Sequence, residues 1–431
     1  MERDPRRRGH RPLPSSSSSS GRTVIPDSRS NFVPSRRSHG EAWNRNASSF
    51  HSRGRSSRNP PPGSANSDGR DPSGTVSGLE EAAEESSGDV PSLVGTCPFM
   101  CPASEMAQRE RLRDLAVFER LHGNPKKTSP DLAVKKFCRT ISTKDVKSSD
   151  VRPLSVLENT LDYLLNLMDS SGEPFEVVHD FIFDRTRSIR QDLSMQNIVD
   201  RKAISMFEKM VKFHVISHHK LQFSSEGTHH LEVSSSHHLN MEQLAKTLTS
   251  LYHLYELNRV PDSAFENEPE FRSLYVLLCL NYESPMKGES LALWFRHVPA
   301  SVIRSKEMIF ARTVLRCFRF GNYKRFLDTV AAEASFLQFC ILESHINEVR
   351  ALAVSCINSS GYKLHPFSLA NLSSLLMMKE SEAESFCNAC GLEISIDNHG
   401  NKMLPTKQST FSRPKAGFGN YGFLCPGRTD K

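Results

Sequence analysis

The chain has 431 residues, a length that accommodates two or three folded domains. Hydrophobic residues account for 37% of it, and no run of about 18 apolar residues occurs, which excludes a transmembrane helix. The first thirty residues lack the apolar core of a secretory signal, so we expect an intracellular protein whose ten cysteines stay reduced.

The positive charge is concentrated at the beginning of the chain. The whole chain carries +6, whereas residues 1–75 contain fourteen Arg, no Lys and six acidic residues. This stretch accounts for +8 and leaves −2 for residues 76–431. A nearly neutral remainder argues against a folded domain whose entire surface is a nucleic-acid track.

Residues 1–92 are rich in Ser, Arg, Pro and Gly and contain few large apolar residues. Such a composition buries too little hydrophobic surface to offset the entropy of ordering, so it predicts a disordered tail. Its arginine clusters, Arg6–Arg8 and Arg36–Arg37, suit nuclear import or loose RNA contact, and equally a solvated tail.

From Cys97 onward, apolar residues recur at helical spacing and predict an array of amphipathic helices over residues 93–360. Helices joined by short turns favour antiparallel pairs stacked into an irregular solenoid. A polar, histidine-rich loop is predicted at 224–238. The predicted helices are 103–121, 131–138, 155–168, 175–193, 196–223, 241–257, 264–280, 290–298, 305–318, 322–332 and 336–357.

The pattern changes after residue 360. Two short helices are predicted at 368–378 and 381–390, and alternating apolar residues around an Asn/His/Gly turn predict a β-hairpin at 392–404. Helix, helix and hairpin form the layout of a winged helix, which we assign to residues 361–411, with a flexible tail over 412–431. The expected fold class is an all-α repeat array that ends in a small α+β winged-helix subdomain.

Three stretches of the chain carry unusual combinations of residues. The first, 95–105, includes Cys97, Cys101, Pro102 and Glu105; the second is Arg152-Pro153; the third, 183–192, includes Asp184, Arg187, Gln191 and Asp192. Together these stretches resemble the signature of the Sac-three/GANP family of messenger-RNA export scaffolds, most closely its short plant-type members.

The resemblance implies a PCI-type helical array whose winged helix pairs with a second PCI-domain protein of the Thp/PCID type. It also implies a small acidic partner of the Dss/Sem type, within a nuclear TREX-two assembly that couples transcription to messenger-RNA export. Nuclear pore proteins are further implied partners, although the Phe-Gly repeats of long family members do not occur ahead of the domain here.

The third stretch is interpreted most simply as a structural ion-pair network. Helical spacing puts Asp184 beside Arg187 and Ser188, while Arg187 and Arg190 share a face. The alternative is direct contact with RNA phosphates by Arg185, Arg187 or Arg190, because guanidinium groups suit phosphate.

The winged helix offers a second set of candidate RNA contacts. Its second helix carries Glu380, Glu382 and Glu384, which phosphates would repel, so sequence-specific DNA binding is not expected. The basic residues of the wing and its exit either meet an RNA backbone or are ordinary surface cations. They are Lys402, Lys407, Arg413 and Lys415.

No pattern predicts catalysis, a cofactor or a metal. The pairs Cys97/Cys101 and Cys387/Cys390 could together hold zinc, but they lie far apart in sequence, and buried thiols are the favoured interpretation. Seven histidines in 214–238 lack metal-site spacing and favour a flexible loop. Phosphate loops, nucleophile elbows and kinase motifs are missing from the sequence.

The expected function is therefore a non-catalytic scaffold for messenger-RNA export. Two other classes of protein remain open. One is a centrosome- or spindle-associated protein, which short animal-type relatives resemble. The other is a PCI-type scaffold of a proteasome-lid-like or initiation-factor-like assembly. An RNA-processing enzyme is disfavoured because no nucleophile and base pattern appears.

Overall fold

The computed structural model describes residues 93–140, 146–223, 230–260, 265–280, 290–360, 365–414 and 418–424. Helices dominate the described part, and one small antiparallel sheet lies near its C-terminal end. The predicted fold class is thus confirmed. The disorder predicted for 1–92 concerns residues outside this part.

Side-chain caps set several helix boundaries. Ser290, Ser305 and Asn322 each accept a hydrogen bond from the amide three residues later, which satisfies one free amide of the first turn. The helices are α1 Ala103–Leu112, α2 Leu154–Ser170, α3 Phe175–Met195, α4 Arg201–Phe223, α5 His230–Leu257, α6 Glu268–Leu278, α7 Leu291–His297, α8 Ala300–Ile303, α9 Lys306–Arg319, α10 Tyr323–Glu333, α11 Phe336–Ser360, α12 Leu369–Leu376 and α13 Glu380–Ala389.

The first predicted helices differ most from the structure. α1 ends after ten residues because Arg113 adopts a left-handed conformation, and short 3-10 turns follow instead of the helix predicted to 121. The helix predicted over 131–138 is wrong. There the amide of Lys135 bonds to the carbonyl of Met100, and that of Phe137 bonds to the carboxylate of Asp184. Distant partners therefore replace the helical hydrogen bonds.

The loop predicted at 224–238 is wrong for its second half, because α5 begins at His230; residues 224–229 lie outside the described part. Buried polar contacts hold α5 against α4. Nδ1 of His214 lies 2.8 Å from Oδ1 of Asn240, and Nδ1 of His218 lies 2.8 Å from Nε2 of His237. Three of the four histidines in the predicted loop, His230, His237 and His238, thus belong to α5.

Two hydrophobic cores organise the described residues. The larger core runs from α2 to α11, and the smaller one contains side chains of α12, α13 and the hairpin. Ala351 and Val354 of α11 belong to the smaller core. The C-terminal subdomain is therefore built on the last turns of the long helix.

The sheet contains β1 Phe367–Ser368, β2 Ser395–Ile396 and β3 Lys402–Leu404, in the order β1-β3-β2. Both neighbours are antiparallel to β3. The predicted hairpin is confirmed, and its turn closes around Asp397, whose Oδ1 accepts the amides of His399 and Asn401 at 2.8 Å. β1 is too short for an alternating pattern to predict it.

Residues 418–424 form a strap that packs on the body of the chain, although 412–431 was predicted to be flexible. Phe418 stacks on Phe386 of α13, with ring centroids 5.1 Å apart, and Phe423 lies 5.7 Å from Phe339 of α11. Phe418 joins the smaller core and Phe423 the larger one. The strap therefore connects both cores.

Arg350 of α11 anchors this strap. Its guanidinium is fully buried and donates to the carbonyls of Leu376, Met377 and Gly422 at 2.7–2.9 Å. Burial lowers the pKa of Arg350 to about 10. One cation thus caps the end of α12, where helix carbonyls favour positive charge, and holds the strap.

Candidate functional site

The backbone at the start of the first motif, residues 95–105, packs against Val151 and Gln196. Gly95 donates its amide to Oε1 of Gln196 at 2.9 Å, and Cys97 donates its amide to the carbonyl of Val151 at 3.0 Å. A Cβ at position 95 would lie 2.6 Å from that same carbonyl oxygen. Only glycine permits this close backbone approach.

The second half of the motif begins α1. Pro102 precedes the helix, and Glu105 in its first turn accepts the amide of Lys136 at 2.8 Å. Cys97 and Cys101 are buried, and burial raises the pKa of Cys101 to about 12. Both thiols stay protonated and fill core space.

A buried ion-pair network joins the N-terminal segment, residues 93–153 ahead of α2, to α3 through Asp192. This carboxylate accepts hydrogen bonds from Nζ of Lys135 and Nε of Arg152, each at 2.7 Å. Arg152, which precedes Pro153 and α2, also donates to Oγ of Ser188 at 2.9 Å. All these polar side chains are buried, so the network stabilises the junction and has no access to a ligand.

A second buried network surrounds Glu119. Its carboxylate accepts hydrogen bonds from Arg109, from Arg185 at 3.1 Å and from the amide of Val134 at 3.0 Å. Burial opposes ionisation, but the two guanidinium groups outweigh it and hold the pKa of Glu119 below its ordinary value. This carboxylate lies outside the three motifs, and no local pattern of residues predicts its role.

The other polar residues of the third motif also contact the N-terminal segment. Asp184 pairs with Arg185, whereas Arg187 packs over the ring of Phe137, its guanidinium carbon 3.9 Å from the centroid. Gln191 donates to a backbone carbonyl of the same segment at 2.8 Å. Burial lowers the pKa of Arg187 and the charge of Asp184 opposes this, so the two side chains are neighbours as predicted, although the ion pair of Asp184 is with Arg185.

These contacts limit the RNA role considered for the same motif. Arg185 is 4% exposed and bonds to two carboxylates, so its guanidinium is engaged inside the fold and does not face solvent. Arg190 donates to Gln243 at 2.6 Å and to Thr247 at 2.9 Å on α5, and burial lowers its pKa to about 10. Both guanidinium groups serve helix packing.

The cations predicted on the wing are exposed but have neighbours. Nζ of Lys402 lies 2.6 Å from a carboxylate oxygen of Glu384 on α13, and Lys407 donates to the carbonyl of Ser359. Arg413 is exposed, and Lys415 lies outside the described residues. The wing therefore offers less free positive charge than its sequence indicates.

A larger basic surface lies elsewhere and was missed by the sequence analysis. It runs from the end of α8 through α9 to the start of α10, and we call it the basic stripe. A charge count over a window of about twenty residues would have found it. Its members are Arg304, Lys306, Arg312, Arg316, Arg319, Lys324 and Arg325.

The second cysteine pair, Cys387 and Cys390, is buried in the smaller core, and burial raises the two pKa values to about 12 and 11. Within the described ranges, no three His, Cys, Asp or Glu side chains are grouped to hold a metal ion. Among the same residues, no helix combines the length and apolarity needed to cross a membrane.

The fold defines the class of protein, a helical array with a small C-terminal α+β subdomain, and comparison with known sequences gives its family. The model of the SAC3/GANP family matches residues 100–396, which include most of the three motifs. The chain therefore belongs to the SAC3/GANP family.

Three relatives illustrate the relationship. SAC3 family protein B of Arabidopsis thaliana is 34% identical over 75% of this chain, and SAC3 family protein 1 of Schizosaccharomyces pombe is 32% identical over 76%. Protein xmas of Drosophila melanogaster is 26% identical over 70%. The matched region spans only 19%, 33% and 15% of these relatives, respectively.

Proposed function

We propose that this chain is a non-catalytic scaffold subunit of a TREX-two-like nuclear complex that couples transcription to messenger-RNA export. Membership in the SAC3/GANP family supports this role. So does the state of the buried ionisable groups, because Asp192, Glu119 and Arg152 are enclosed by structural partners. Such groups stabilise a frame and cannot meet a substrate.

The observation that carries the proposal is the C-terminal subdomain. It presents an edge strand, β2, whose Ile396 is 70% exposed. Edge strands and exposed apolar side chains are features of docking surfaces. A PCI-domain protein of the Thp/PCID type docks at this subdomain, and a small acidic Dss/Sem-type protein joins the assembly.

The proposal includes contact with messenger ribonucleoprotein. Arg413, Lys415 and the arginine-rich tail supply positive charge for sequence-tolerant binding to RNA. Nuclear pore proteins are further candidate partners, in keeping with a nuclear location.

Affinity purification of the tagged full chain from nuclear extract tests the scaffold role. Recovery of a PCI-domain protein with a small acidic protein supports it. Tubulin-linked partners would support the spindle alternative, and a full set of lid subunits would support the proteasome-like one. Either result contradicts the proposal.

A matched pair of variants tests the docking surface. Ile396→Asp should lose the PCI-domain protein, because it places a charge on the exposed edge strand. Leu112→Asp, at a 63% exposed apolar residue on α1, should retain it. Equal recovery by both variants would place the interface elsewhere.

A further inference from the structure

The basic stripe concentrates charge that the rest of the folded chain lacks. Residues 304–325 contain seven Lys or Arg and one Glu, a net charge of +6. Since residues 76–431 sum to −2, the remainder of that range carries −8. A local excess of this size belongs to one stretch of the chain and creates a local positive potential that the total charge conceals.

The basic side chains of α9 face solvent, whereas its apolar side chains are buried. Met308, Val314 and Leu315 are buried in the larger core. Arg312, Arg316 and Arg319 recur at intervals of four and three residues and are exposed. They therefore lie along one solvent-facing row, with an axial rise of about 6 Å between the first two.

Few of the cations in the basic stripe form ion pairs with described carboxylates. Lys306 lies 3.7 Å from Glu307. No described carboxylate lies within the 4.0 Å ion-pair limit of Arg312, Arg316, Lys324 or Arg325. Arg312 instead lies near the ring of Phe295, at 5.8 Å from its centroid. These exposed cations are available to an external polyanion.

An aromatic side chain stands within the stripe. Phe320 caps the end of α9 and is 82% exposed, the largest exposure of any large hydrophobic side chain described. Its neighbour Gly321 has φ of +67°, which turns the chain directly into α10. Exposed aromatic rings amid arginines are suited to stacking on unpaired bases.

We infer that the basic stripe binds the backbone of single-stranded RNA, with Phe320 stacked on a base. This inference rests on the proposed RNA-binding function and assigns its main site to residues 304–325 rather than to the wing. An acidic protein segment would satisfy the cations but not the exposed ring, so RNA fits the surface better.

The test is fluorescence anisotropy of the full chain with a labelled 20-nucleotide oligouridylate over a series of salt concentrations. The variant Arg312→Gln/Arg316→Gln/Lys324→Gln should bind at least tenfold more weakly. Its log–log salt slope should fall by about 2, since each lost contact removes about 0.7. Phe320→Ala should weaken binding about fivefold or more at unchanged slope.

The control variant Arg111→Gln/Lys126→Gln/Arg139→Gln removes three exposed cations from the N-terminal segment. It should bind RNA within twofold of the wild type. All variants keep residues 1–75, so RNA binding by that tail is common to every measurement.

The possible failures are distinguishable. If the wild type does not bind the RNA, the proposed RNA function fails. If the wild type binds and the stripe variant matches it, only the inference about the stripe fails, and weaker binding by Arg413→Gln/Lys415→Gln would then place the contact at the exit of the wing. If a polyglutamate peptide binds the stripe more tightly than the RNA does, the ligand is an acidic protein and the inference is overturned.

Discussion

Buried ion pairs between single charged residues hold the N-terminal segment against α3. In the cluster at Asp192, one carboxylate serves both Lys135 and Arg152. Removing one member of a buried cluster leaves its partners without compensation, which costs more than the net stabilisation that the intact cluster supplies. The motif residues Arg152 and Asp192 are therefore explained by folding.

Asp192→Asn should lower the free energy of unfolding by about 3 kcal/mol, because two buried cations lose their carboxylate. Urea unfolding followed by circular dichroism measures this. Asp162→Asn, which removes an exposed carboxylate 2.6 Å from Lys209, should cost less than about 1 kcal/mol. Equal losses in the two variants would contradict the role assigned to Asp192.

His214 gives the fold a specific pH dependence. Burial, reinforced by the charge of Arg190 and by His179, lowers its pKa to about 3, although the bond to Asn240 opposes this. Below pH 6.5 the unfolded chain binds a proton that the folded chain does not, so stability falls as the pH drops. Between pH 7 and pH 5 the loss is about 2 kcal/mol for this residue.

Urea titrations at pH 7 and pH 5 check this prediction. His214→Asn should reduce the pH dependence by that amount, whereas His253→Asn, at an exposed position of α5, should leave it unchanged. An unaltered slope in the His214 variant would rule out the buried neutral imidazole.

At the scale of elements, the sequence predicts best where contacts repeat locally. The stripe of Leu157, Leu161 and Leu164 predicts α2 because those side chains enter one core. The sequence of residues 131–138 wrongly predicts a helix, because two of their amides bond to Met100 and Asp184. No local pattern encodes such distant partners. The strap escapes prediction for the same reason, since its partner Arg350 lies about seventy residues earlier.

Phe418→Ala should destabilise the chain by about 1–2 kcal/mol, because it removes a half-buried ring stacked on Phe386. Thermal unfolding measures the effect. Phe320→Ala, which removes an exposed ring, should stay within about 0.5 kcal/mol of the wild type. An unchanged melting temperature of the Phe418→Ala variant would mean that the stacking of Phe418 on Phe386 does not hold the strap.

At the scale of the whole molecule, the family and the fold follow from the sequence, but the charged surfaces do not. The total charge places positive residues in the first 75 positions and hides the basic stripe, because acidic residues elsewhere cancel it. A local charge count finds the stretch 304–325, and the fold adds that Arg312, Arg316 and Arg319 are exposed on α9. On the wing, the sequence predicts RNA contacts by Lys402 and Lys407. In the structure these two side chains bond to Glu384 and to the carbonyl of Ser359.

Native mass spectrometry of the tagged complex isolated from nuclei tests whether the chain is a frame for partner proteins. The 48.5 kDa chain should be found bound to a PCI-domain protein and a small acidic protein, and the PCI-domain protein should be absent from the Ile396→Asp sample. Detection of the chain without any bound partner, or of the same partners in the Ile396→Asp sample, would show that the chain is not such a frame.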